Sequence, residues 1–84
     1  MVRDVIRADG RVEKIEVGNG FETWNKVIGA SCGTIVSAPG ATLELWCDDN
    51  GLLAPEPRLN LQASILACQQ IVGDVIVFKP GDIK

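Results

Sequence analysis

The run Val75-Ile76-Val77-Phe78 sets the tightest limit on the fold. Its apolar residues, three of them β-branched, favour an extended strand. They do not alternate with polar residues, so neither face of that strand can be left to water. Such a strand lies at the middle of a sheet, or both its sides are covered. Gly73 and Asp74 mark its start, and the rest of the chain must supply its neighbours.

Four further strands are expected. Val2 to Arg7 and Arg11 to Val17 flank Asp9-Gly10, a strong hairpin signal because Gly accepts the positive φ of a tight turn. In the second of these, Ile15 and Val17 share a face and should point inward, which reads as an edge hairpin. Thr34 to Ala38 and Thr42 to Cys47 flank Pro39-Gly40, a pair suited to the centre of a turn. Two helices complete the pattern. Asn19 and Glu22 have the spacing of a capping box, followed by a stripe of Phe21, Trp24 and Ile28 with Val27 beside it, and Gly29 as the stop. Asn60 can cap a second helix in which Leu61, Ile65 and Cys68 share one face and Leu66 flanks it. Pro55 and Pro57 forbid a regular element just before it.

The order strand, strand, helix, strand, strand, helix, strand predicts one α+β domain over residues 1–84. It matches a small β-grasp, or ubiquitin-like, sheet of about five strands with both helices on one face and the last strand parallel to the first. The alternative is a plain α+β sandwich with all neighbouring strands antiparallel. With one face covered, Leu43, Leu45 and Cys47 would point to the helices, and Thr42, Glu44 and Trp46 to a free face. A large rigid ring such as Trp46 suits a protein interface, so these three residues are the expected docking surface, for a homodimer or another protein. An unpaired outer strand offers a second route to self-association.

Charge and composition narrow the function. The chain of 84 residues has 8 basic and 11 acidic side chains, a formal charge of −3, which disfavours nucleic acid as a partner. No apolar run approaches the roughly 20 residues of a membrane span, and the N-terminal residues lack a signal-like stretch, so a cytoplasmic protein is expected. Histidine is absent, so no Ser-His-Asp or Cys-His nucleophile can be assembled, and no catalytic residues, metal or cofactor are expected. Cys32, Cys47 and Cys68 read as small, mostly buried apolar side chains. Asp48-Asp49-Asn50-Gly51 reads as a turn rather than a calcium loop, because Glu56 is not placed as the bidentate ligand. Gly18-Asn19-Gly20 lacks the Lys and Ser/Thr of a phosphate-binding loop. Arg58, Asn60 and Ser64 could hold a nucleotide phosphate, with Asp74 at the edge of a cleft, and a nucleotide-sequestering protein is the alternative function.

Asp48-Asp49-Asn50-Gly51-Leu52-Leu53, Pro57 to Asn60, Ala63-Ser64 and Ile71-Val72-Gly73-Asp74-Val75-Ile76-Val77 resemble a small uncharacterised domain family of bacteriophages and other mobile elements. The N-terminal hairpin and the Trp24-containing helix are similar in layout, and Pro55 and Pro57 around Glu56 depart from it. The resemblance implies a non-enzymatic, phage-type accessory protein that binds in the host cytoplasm, in the manner of counter-defence factors.

Overall fold

The computed structural model describes residues 2–50 and 57–81. Five strands, β1 (Val2–Ile6), β2 (Val12–Glu16), β3 (Gly33–Ser37), β4 (Glu44–Asp48) and β5 (Val75–Phe78), form one sheet in the order β2-β1-β5-β4-β3. Helix α1 covers Phe21–Ile28 and helix α2 covers Leu61–Ala67. The expected α+β class and the central place of β5 beside β1 both hold. Gly51–Leu53 and Pro55–Glu56 lie outside the described residues.

Every neighbouring pair is antiparallel, β1 with β5 included (Asp4 opposite Val77, Ile6 opposite Val75), so the parallel pairing of a β-grasp is not formed. The cause lies in the excursion that carries α2. Gly73 N–H donates to Arg58 O (2.7 Å), Asn60 N–H to Ile71 O (2.8 Å), and Leu59 bridges Val72. The two feet of the excursion are thus pinned together. The chain returns to the sheet at the end where it left β4, so β5 runs opposite to β4, and it lies antiparallel to β1 as well.

The helices lie on opposite faces, which corrects the expectation of a single covered face. Val5, Trp24, Ile28, Trp46, Ile76 and Phe78 pack on the α1 side, and Ile6, Leu45, Cys47, Ala63, Ala67 and Val75 on the α2 side. Adjacent residues of β1, β4 and β5 therefore point into different cores, as the period of two requires. Val17 is buried and Ile15 packs against the α1 side, as their alternation predicts.

Helix α1 begins without the expected capping box. Gly20, at φ 142°, takes the N-cap position and no side chain caps the helix, so Asn19 and Glu22 do not act as predicted. Packing of the stripe holds the helix instead: Trp24 and Ile28 are buried, and Trp24 Nε1 donates to Gly18 O (3.0 Å). Among the described residues no helix is long and apolar enough to cross a membrane.

Candidate functional site

Trp46 is 5 % exposed, sealed between the sheet and α1. Its Nε1 donates to Asn25 Oδ1 (3.0 Å), Phe21 stacks on it at 5.0 Å, and Trp24 meets it edge-on at 5.4 Å. The indole also occupies the space above Gly33, where any Cβ would run into it. The expected docking surface is therefore absent at its centre. α1 occupies the face that a one-sided sheet would have left open. Thr42 lies outside β4 and its Oγ1 donates to Pro39 O (3.5 Å), while Glu44 Oε1 accepts from Gly81 N–H (3.4 Å).

The residues expected to hold a ligand separate into two groups. Asn60 is buried, and every polar atom of its side chain is used. Oδ1 accepts from Ala63 N–H (3.0 Å), while Nδ2 donates to Ile6 O (3.0 Å) and Gly73 O (2.9 Å). Ser64 Oγ donates to Asn60 O (2.7 Å) and accepts from Ile71 N–H (2.8 Å). Both side chains hold the α2 excursion to the sheet and offer nothing to a ligand.

Arg58 and Asp74 do face a common space. With Arg7, Asp9, Arg11 and Glu13 they line an open polar hollow of about 380 Å³ at the end of β1, β2 and β5. Arg7 is its centre. Its Nε donates to Glu13 Oε1 and its Nη1 to Asp74 Oδ2 and to Val27 O in the last turn of α1, each at 2.9 Å. Hydrogen bonding to Glu13 is the largest effect on its guanidinium; burial opposes it, and the bond and charge of Asp74 with the charge of Glu13 leave the pKa above its ordinary value. Asp74 Oδ1 also accepts from Ala8 N–H (2.8 Å). Asp9 is held below its usual range, chiefly by Arg11 N–H, with the Arg11 and Arg58 charges assisting. Arg58 alone in this group has no hydrogen-bonding side-chain partner among the described residues.

The apolar surface that does reach water is on α2. Ala63 and Ala67 face the sheet, so Leu61 and Ile65, one turn apart, point outward at 66 % and 75 % exposure, and Leu59 is exposed just before them. Their shared face was legible in the spacing, but its direction was not. Cys68 is exposed with them, and Cys32 is exposed as well, so only Cys47 has the burial expected of all three. No charged side chain occurs from residue 59 to residue 73. Exposed Leu and Ile on an uncharged helix have the composition of an interface centre. Among the described residues no cluster of three metal-ligating side chains forms. No family model, no curated protein and no solved structure matches this chain.

Proposed function

We propose that this protein is a non-enzymatic, phage-type accessory module that acts by binding another protein, and that it docks through the outer face of α2 rather than through the sheet. The observation that carries this reading is the outward pair Leu61 and Ile65 on a helix whose opposite side, Ala63 and Ala67, already satisfies the core. Covering one such side chain removes enough apolar area from water to contribute about 1.5–3 kcal/mol before the costs of association. Together with the resemblance to the phage-borne family, the reading makes the partner a host protein met in the cytoplasm, with interference in host defence as the outcome. The nucleotide reading retains Arg58 as its one uncommitted member, beside an Arg11 already paired with Asp9 at 2.8 Å, and takes second place.

The test is the double substitution Leu61→Gln, Ile65→Gln. Both side chains already meet water, so stability should change by no more than about 0.5 kcal/mol in urea unfolding. Affinity capture from host extract should lose the proteins that the unsubstituted chain retains. Identical captured sets from the two proteins would overturn the proposal.

A further inference from the structure

The sheet ends in two unlike edges. At one, β2 carries Glu13, Lys14 and Glu16; Glu13 is bonded to Arg7, and Lys14 lies 3.4 Å from Asp4 on the neighbouring strand. At the other, β3 reads Gly33-Thr34-Ile35-Val36-Ser37, and no charged side chain occurs from residue 27 to residue 43. A free strand edge offers a row of donors and acceptors to any other strand, and charge is a common block against such pairing. Only the β2 edge has that block.

The ladder determines which β3 groups face outward. Asp49 N–H donates to Cys32 O and Ala38 N–H to Leu43 O, both at 2.9 Å and both in the register of β3 with β4. Bonded and non-bonded pairs alternate in an antiparallel ladder. The amides and carbonyls of Thr34 and Val36 are therefore turned to β4, and those of Gly33, Ile35 and Ser37 point away from it. Among the described residues no strand lies beyond β3 to receive them.

We propose that β3 pairs antiparallel with β3 of a second copy, about a two-fold axis at Ile35, so that the sheet continues across a dimer. In this register Ile35 faces its own counterpart and Gly33 faces Ser37. All are members of the outward set, so donors and acceptors match pair by pair. A shift of one residue would set outward groups against inward ones. A two-fold contact also places like charges near each other. Pairing β2 with itself in the same way would put Lys14 against Lys14, whereas β3 meets its copy without charge. An apolar flank lies beside the same edge. Ile35 is 40 % exposed opposite Trp46, and Phe21, stacked on that indole, is 52 % exposed. This surface is separate from the outer face of α2 and does not depend on it.

Sedimentation equilibrium of the full chain over a wide concentration range tests the inference. The expected mass at high concentration is twice 9.0 kDa. Ile35→Lys introduces a charge at the axis, and Ser37→Pro removes one outward N–H while sparing the bonds to β4; each should raise the dissociation constant by about ten-fold or more. The α2 double variant should remain dimeric. A wild-type chain that stays monomeric, including one that pairs only with an added extended peptide, would overturn the inference. So would a dimer that survives both β3 substitutions or is lost in the α2 variant. Should either β3 variant misfold, amide exchange on the wild-type chain decides. The Ile35 and Ser37 amides should gain protection with concentration, and protection independent of concentration rejects the pairing.

Discussion

Burial pushes the Cys47 thiol up to about 11 from an ordinary 9.0, with the negative charges of Asp48 and Asp49 adding to the shift. A group whose folded pKa is raised binds its proton more tightly in the native state. Its contribution to stability is complete below pH 9 and is lost as the pH rises through about 11. Urea midpoints should therefore fall over that alkaline window, and Cys47→Val should reduce the slope. At pH 8 iodoacetamide should modify Cys32 and Cys68 well before Cys47, read by mass spectrometry, since the thiolate is the reactive form. Composition alone placed all three thiols inside. Cys32 and Cys68 escape because each follows a helix end, where the chain turns at the surface. Trp46 shows the opposite error. Its side of β4 followed correctly from alternation, but whether that side met water depended on where α1 lay.

Asn60 is to α2 what packing is to α1. It caps the helix, and its amide also satisfies two main-chain carbonyls, at the end of β1 and just before β5. Asn60→Ala removes the cap and leaves those acceptors to find other partners, at a cost of about 2–4 kcal/mol in urea unfolding. The cap was legible because an Asn before an apolar run is a local signal. The burial of α2 was not. A helix this short carries both a large apolar row, Leu61 with Ile65, and a small one, Ala63 with Ala67, and periodicity cannot rank them. The small row faces inward and meets Ile6, Leu45, Cys47 and Val75. At α1 the local rule itself failed, because Gly20 occupies the position that an Asn19 cap would need.

Across the molecule, one covered face was expected from the sequence, although residues that sit side by side already carry the need for two. Val5 with Ile6, Leu45 with Trp46 and Cys47, and the run from Val75 to Phe78 all place apolar groups on both sides of the sheet. The direction of β5 was not legible, since it follows from backbone bonds that close residues 58–73 and carry no side-chain signature. Arg7 binds the resulting layers together by joining β2, α1 and the start of β5 through one guanidinium. Arg7→Met should lower stability by about 2–3 kcal/mol, because it removes charge-assisted bonds from partly shielded partners. Thermal unfolding of that variant should still be a single transition. The order of the strands has a consequence for biogenesis. β1 with β2 and β3 with β4 are local hairpins, yet they touch in the sheet only through β5, which follows both of them in the chain. On the ribosome the earlier segments emerge first, as two disconnected ribbons with exposed oily surfaces. Cooperative folding must wait until translation has passed Phe78, so a nascent chain arrested before that point should remain sensitive to proteases.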